Sequence, residues 1–478
     1  MSEAVAERPL ASARRLIAPL ALAQFICSFA GSNMNVMIND ITHDLDTTVA
    51  GVQAAITLFL LVMAVLMIPC SKLTDRFGRT RCFTVGLVLY GIGALLSAVS
   101  PGLGILILGN SILEGVGTAL LIPPVYILTT LHFSDLTSRA RAFGVISGMG
   151  GIGAAAGPLI GGVITSAISW RAAFVFQALV VTAIVLLSRR IVDPLPADPD
   201  SRFDTPGAVL SGVGMFLVVL GILQADNDLA LTAVLIVAGA AFVAWFFLHI
   251  RARERAGREV LLSLGLFRNR TSNLALVTQN IQWLLLMGTS FVVAVFLQTV
   301  RGYDAIETGV IFTAATLGVL VSSLAAERLA KRRRQRTLII AGFVVTAAGI
   351  GVLLALVGAS SRVVAFAPGL LLIGLGLGVM LTPSVNVVQS AFPDALQGEI
   401  SGLSRSVSNL GSSFGTAIAG TILVSELASG NGSYVAAMIV LGALAIVGLA
   451  AALRLPAGPA PQSTPAAADP LDAAIGAG

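Results

Sequence analysis

Charge is scarce in this chain. Asp, Glu, Lys and Arg make up 11% of its 478 residues, against roughly a quarter in soluble domains. With 56% hydrophobic residues and a mean hydropathy of +0.93, this shortage excludes a soluble globular protein and points to a polytopic membrane protein. Cysteine is limited to Cys27, Cys70 and Cys82, and their spacing fits neither a redox nor a metal motif. A disulfide framework and a structural zinc site are therefore not expected. Histidine is equally sparse, and His43, His132 and His249 stand too far apart for metal-ligand spacing. No glycine-rich stretch ends in Gly-Lys-Ser/Thr, so neither a P-loop nor ATP-driven pumping is expected. No cofactor is implied.

What the chain does have is long apolar runs. Fourteen segments of spanning length follow one another, from about residues 16–41 to about 433–455. An even number places both termini on one side. On this topology 26 of the 29 Lys and Arg residues fall to the side of the termini, and only Arg171, Arg301 and Arg362 to the other. The positive-inside rule makes the basic side cytoplasmic. The net charge of +5 is thereby explained as orientation, and no nucleic-acid partner is expected. The opening MSEAVAERPLASARR reads as a cytoplasmic tail leading into a retained first span.

The polar, proline-rich run IVDPLPADPDSRFD (191–204) breaks the chain after six spans, and RARERAGREV (251–260) breaks it again after two more. The expected plan is an N-terminal six-helix bundle (1–190), a linker with two extra transmembrane helices (191–260), a C-terminal six-helix bundle (261–455) and a disordered cytoplasmic tail (456–478). Six plus six around an insertion is the kind of internal repeat that transporters use.

Between Gly144 and Gly162 the chain reads GVISGMGGIGAAAGPLIGG, with eight glycines and one proline. In water this would be a poor helix. In a bilayer it persists, because backbone groups have no other partner. Gly153, Gly157 and Gly161, spaced by four, leave a groove for close helix approach, and Pro158 favours a bend. Gly148 and Gly162 extend the same hinge-like stretch. A second motif, SKLTDRFGRTR (71–81), sets Asp75 beside Arg76 and Arg79, with Gly78 allowing a tight turn. A carboxylate among guanidiniums can form a latch between helix ends or cap a helix N-terminus.

This loop resembles the signature loop of the major facilitator superfamily, with Ser71 where that family usually has glycine. The glycine-proline run is similar to the fifth-span motif of the superfamily's antiporters. Ser169-Trp170-Arg171, Asp204-Thr205-Pro206-Gly207, LFRNR (266–270), Leu297-Gln298 and Gly398 through Gly402 resemble segments of its fourteen-span drug:proton antiporter branch. The resemblance implies an all-α major facilitator fold of two six-helix bundles plus two inserted central helices, without enzymatic activity. It also implies a monomer in the plasma (inner) membrane. Two positions depart from the family pattern: Ala30 stands where the first span carries a carboxylate, and Ser111 where the fourth carries an arginine.

Glu114, which replaces a glutamine of that fourth-span pattern, lies about 16 Å down its helix, near the membrane midplane. An acid there costs about 2.5–3.5 kcal/mol and is by default functional. A carboxyl able to switch between neutral and charged forms is a candidate proton carrier, and Asp40, at the outer end of the first span, is a second. Candidate substrate contacts are Asn33, Met34 and Asn35 in the first span, and Gln279, Gln282 and Trp283 in the ninth. Asn386 and Gln389 of the twelfth and Asn409 of the thirteenth join them. For any one amide, plain interhelical hydrogen bonding is the competing account. The expected function is export of small amphipathic compounds coupled to protons. Export of a lipid-like substrate without a proton is the alternative, and a membrane receptor or enzyme a distant one.

Overall fold

In lipid an open backbone group finds no water, so each span closes its hydrogen bonds within a helix. The computed structural model describes residues 10–133, 136–189, 191–194, 197, 203–225, 228–330, 333–359, 365–392, 396–424 and 431–456. Among the described residues there are fourteen long helices and no strand. The first six are α1 (Leu10–Asn33), α2 (Val49–Phe77), α3 (Arg79–Ala98), α4 (Leu103–His132), α5 (Leu136–Ala167) and α6 (Trp170–Ser188). Two follow, α7 (Thr205–Leu223) and α8 (Leu229–Arg255). The last six are α9 (Arg270–Val300), α10 (Ala305–Ala330), α11 (Gln335–Ala359), α12 (Phe366–Gln389), α13 (Gln397–Val424) and α14 (Asn431–Leu453).

Thirteen of these helices are long and apolar enough to cross a membrane. The exception is α13, whose apolar sequence is interrupted by Ser404, Arg405, Ser406, Ser408, Ser412 and Ser413. It nevertheless packs inside the bundle, between α2 and α9.

Side-chain caps set the helix starts. Thr48 caps α2, Ser169 caps α6, Asp204 caps α7, Asp228 caps α8 and Asn269 caps α9, each accepting from backbone N–H groups of the first turn. Three of the family-like segments therefore have a local physical role: Ser169, Asp204 and Asn269 are the capping residues within them. Asp204 also pairs with His249 (3.0 Å) and Arg253 (3.6 Å), which ties α7 to α8.

Each of the first six helices packs as does the helix eight places later. Thus α1 lies on α5 as α9 lies on α13, α3 on α4 as α11 on α12, and α3 on α6 as α11 on α14. Two seams join these halves, α5 against α10 and α2 against α13, and the same eight-helix step exchanges one for the other. Along the second seam α7 is packed, with the Thr421 hydroxyl donating to the Ile222 carbonyl at 3.1 Å. Large side chains such as Leu179, Val234, Trp245, Leu324 and Ile446 stay exposed, as expected of a surface solvated by lipid.

Candidate functional site

Glu114 ends a π-helical segment, Ile107–Glu114, inside α4, and the only other such segment among the described residues is Phe296–Val300 in α9. Wide turns of this kind are frequent at functional sites. The Glu114 side chain is wholly buried; its carboxyl oxygens make no fully formed hydrogen bond, and the Tyr90 hydroxyl is the polar group that approaches them. Helix α3 closes over it: a Cβ on Gly93 would stand 2.9 Å from Glu114 Cγ. Tyr90 and Cys27 lie close to the carboxyl, and Thr118 lies beside Cys27. The Tyr90 hydroxyl, though near Glu114, sits within hydrogen-bond reach of Gln177 Oε1 (2.5 Å) and the Ile26 carbonyl (3.3 Å). Glu114 is thus enclosed by α1, α3 and its own helix, within the first half rather than on a seam. One turn earlier, Asn110 is also buried with both amide atoms unpartnered, and so is Asn33 of α1.

The predicted substrate contacts fall into separate places. Gln279 is buried between Ser404, which donates to its Oε1, and Ser408, to which its Nε2 donates, both at 2.9 Å. Gln282 donates to the Leu377 carbonyl at 3.2 Å, so both glutamines hold the second half together. Trp283 and Asn409 are half-buried. Asn386 is exposed near the end of α12, where Gln389 donates to the Ser401 hydroxyl at 3.4 Å. Met34 and Asn35 are buried at the opposite membrane face. There Gln298 of α9 donates to the Asn35 carbonyl (2.7 Å) and accepts from the Asn39 backbone N–H (3.1 Å), joining the halves.

Asp40 belongs to that same face and is distant in the fold from Glu114. It lines a cavity of about 480 Å³ with Asn39, His43, Tyr303 and Asp304. Partial burial holds its carboxyl above the usual carboxylate range, the nearby Asp304 adds to this, and His43 opposes it. Beside it the Arg171 guanidinium, bonded to Asp44, holds that carboxyl below the usual range.

The glycine-proline run forms part of α5, which stays one helix through Pro158. Its glycines serve two faces. Gly153 meets the Phe25 carbonyl, Gly157 meets Ser32 and Gly161 meets Asn33, so that stripe seats α5 on α1 within one half. Gly162 meets the Ala305 carbonyl, and the Pro158 carbonyl meets Gly309, so this second face touches the other half. Gly148 has nothing within 4 Å of a Cβ position.

In the 71–81 loop Gly78 takes φ 90°, a conformation suited to glycine, and turns α2 into α3. The carboxylate at this turn is Asp193, which accepts from the Arg79 backbone N–H at 2.7 Å and pairs with its guanidinium at 3.6 Å. Arg76 lies over the Phe77 ring, and the Asp75 side chain lies outside the described residues. Among the described residues, the ionic contact between halves is Lys72 with Glu399 at 2.7 Å. Arg405, grouped with the basic loops by the sequence count, instead sits eight residues inside α13, its guanidinium 4.6 Å from the centre of the Tyr126 ring.

The model of the Major Facilitator Superfamily matches residues 20–416 and again 281–476. The chain belongs to that superfamily. It is 30% identical over 409 residues to a puromycin resistance protein of Streptomyces alboniger, covering 84% of this chain and 80% of that one. It is 29% identical over 374 residues to a multidrug efflux pump of Mycolicibacterium smegmatis (77% and 72% covered). A tetracenomycin C resistance and export protein of Streptomyces glaucescens is 29% identical over 396 residues (81% and 71%). Among solved structures, a peptide transporter in complex with alafosfalin superposes with a TM-score of 0.65 at 16% identity, over 92% of this chain and 94% of that one.

The chain is therefore a multi-pass membrane transporter of the superfamily and not an enzyme. Asp193, Gln298, Glu399 and Arg405 were not singled out by sequence reasoning as site residues. A faint signal existed for two of them: Gln298 and Glu399 lie inside segments that resemble the antiporter branch.

Proposed function

We propose that this superfamily member is a secondary active transporter that exports amphipathic drugs or antibiotics by alternating access, coupled to proton influx through Glu114. The observation that carries this reading is the Glu114 carboxyl, wholly buried in mid-span without a cationic partner among the described residues and with the Tyr90 hydroxyl as its polar neighbour. Such a group is costly in a membrane, and an intramembrane acid is by default a functional one. Relatives named for drug resistance and export support the substrate class. Two seams between repeat-related halves support rocking about a shared interface. The distribution of Lys and Arg supports a plasma-membrane orientation with both termini cytoplasmic. On that orientation Asp40 stands at the outer mouth, where protons enter. The chain acts as a monomer, with a small amphipathic substrate and protons as its partners.

The test is transport in proteoliposomes with and without an imposed pH gradient. Glu114→Gln should abolish pH-driven transport while the folded yield is unchanged. If proton movement and drug exchange both survive in that variant, the assigned role is wrong.

A further inference from the structure

Basic side chains with described ionic partners each face a carboxylate: Lys72 with Glu399, Arg79 with Asp193, Arg171 with Asp44 and Arg253 with Asp204. Arg405 differs. It lies eight residues into α13, about 12 Å along the helix from its start, half-buried and without a carboxylate within ion-pair distance among the described residues. Its Nη2 donates to the Tyr126 hydroxyl, and its guanidinium lies over the Tyr126 ring. Tyr126 in turn lies 3.2 Å from Gln24 Oε1, and Gly150 packs on Gln24. The cation of one half therefore meets α4 of the other through a neutral partner, Tyr126, which links in turn to Gln24 of α1 and, through it, to α5. Asn409, one turn further on, adds an amide to the same side of α13.

A guanidinium inside a span, at the junction of both halves, is expensive when its charge is unanswered. A ring face and a hydroxyl offset part of that cost. The group that would answer it fully is an anion, and a planar guanidinium is shaped to take a carboxylate in two parallel hydrogen bonds. We propose that Arg405 is a binding residue for the anionic group of an amphipathic substrate, a carboxylate or phenolate on an aromatic body, held at the seam between the halves. This deepens the export reading and rests on it for the substrate, but its test reads binding directly.

Purified protein in phosphatidylcholine nanodiscs is titrated with fluorescein, an aromatic carboxylate, and with ethidium, an aromatic cation, by fluorescence anisotropy. Wild type should bind fluorescein, Arg405→Gln should weaken that binding at least about tenfold through loss of a charge-assisted contact, and ethidium binding should hold or tighten. Arg405→Lys keeps the charge and should retain part of the affinity, which carries the test if the glutamine variant does not fold. Equal fluorescein binding by all three proteins overturns the proposal. So does a parallel loss of both dyes, which would make Arg405 a packing residue. Wild type that moves ethidium in proteoliposomes but binds no fluorescein overturns the anion site and leaves export standing. Wild type that binds fluorescein through Arg405 but moves neither dye overturns export and leaves the site standing. Adding phosphatidylglycerol to the nanodiscs separates the two sources of anion: dye binding that survives assigns the site to the solute, and dye binding that is displaced shows a lipid headgroup reaching the same guanidinium.

Discussion

The two seams between the halves are exchanged by the same eight-helix step, yet they differ in the balance of their chemistry. In the seam of α5 with α10, backbone approaches backbone at two glycines, and only two side-chain bonds among the described residues accompany them: the Thr316 hydroxyl donates to the Ala155 carbonyl, and the Ile306 backbone N–H donates to the Ser166 hydroxyl at 2.9 Å. Gly162 lies against the Ala305 carbonyl and Gly309 against the Pro158 carbonyl, with no room for a methyl group at either point. In the seam of α2 with α13, polar side chains reach across. Gln53 donates to the Ala417 carbonyl at 3.2 Å, Ser413 to Thr57 at 3.3 Å and Ser406 to Ala64 at 2.5 Å, and Lys72 pairs with Glu399 at the end. The contrast is mechanical. A rotatable hydroxyl can leave one carbonyl and find another, whereas a glycine contact tolerates no atom between the chains. In the proposed cycle the glycine seam acts as the fulcrum, and the serine seam is remade as the halves move.

The sharpest way to break that contrast is Gly162→Ala. The added Cβ would stand 2.3 Å from the Ala305 carbonyl oxygen and 3.4 Å from Gly309 Cα, and both obstacles are backbone. Overpacking of this kind costs about 1–3 kcal/mol, so we expect a lower melting temperature in detergent and loss of transport. Gly148→Ala, where nothing lies within 4 Å, is the matched control and should fall within about 0.5 kcal/mol of wild type. Equal melting of the two variants would remove the distinction between fulcrum and free surface.

The contrast also shows where a single sequence stops being legible. Span number, helix ends and the glycine stripe are local properties, written in hydropathy, in capping residues such as Asp204 and Asn269, and in the spacing of Gly153, Gly157 and Gly161. Their partners are not local. Nothing along the chain says that Ser406 bonds to Ala64, or that Gln298 bonds to Asn35, because these pairs form only when two halves meet. Counting charges by loop placed Arg405 outside the membrane, since a polar helix end looks like a loop. The serines that depress the hydropathy of α13 answer to carbonyls on another helix. Glu114 was legible as an anomaly, but its direction was not. An apolar helix carries no stripe to show which face meets α3.

The polar seam should break in smaller steps. Ser406→Ala and Ser413→Ala each remove one side-chain bond across it, and Gln53→Leu removes the amide that reaches both the Thr416 and Ala417 carbonyls; each polar side chain is worth about 0.6 kcal/mol in a membrane. The three sites are spread along the helices, so their effects should add to about 1–2 kcal/mol in the triple variant. Each single variant should keep most of its transport rate, with the loss growing stepwise. A single serine variant that destabilises as much as Gly162→Ala would show that this seam is as unforgiving as the other.

The smallest effect belongs to the ion pair that ends the same seam. The Lys72 and Glu399 side chains are 33% and 22% exposed, so water and salt screen them. Exposed pairs contribute about 0.2–1 kcal/mol, and the stability cost of Lys72→Ala should shrink towards zero in 1 M salt, where the screening length falls to about 3 Å. Glu399 has a second task, since its Oε2 accepts from the Ser263 backbone N–H at 3.3 Å, just before α9. Glu399→Ala should therefore cost more than Lys72→Ala, and the excess should survive high salt. Glu399→Gln, which keeps an acceptor but loses the charge, should resemble the lysine variant. Melting temperatures of the three proteins at low and high salt decide the point. If salt erases all three differences, Glu399 acts through its charge alone, and the contact to Ser263 adds nothing to the seam.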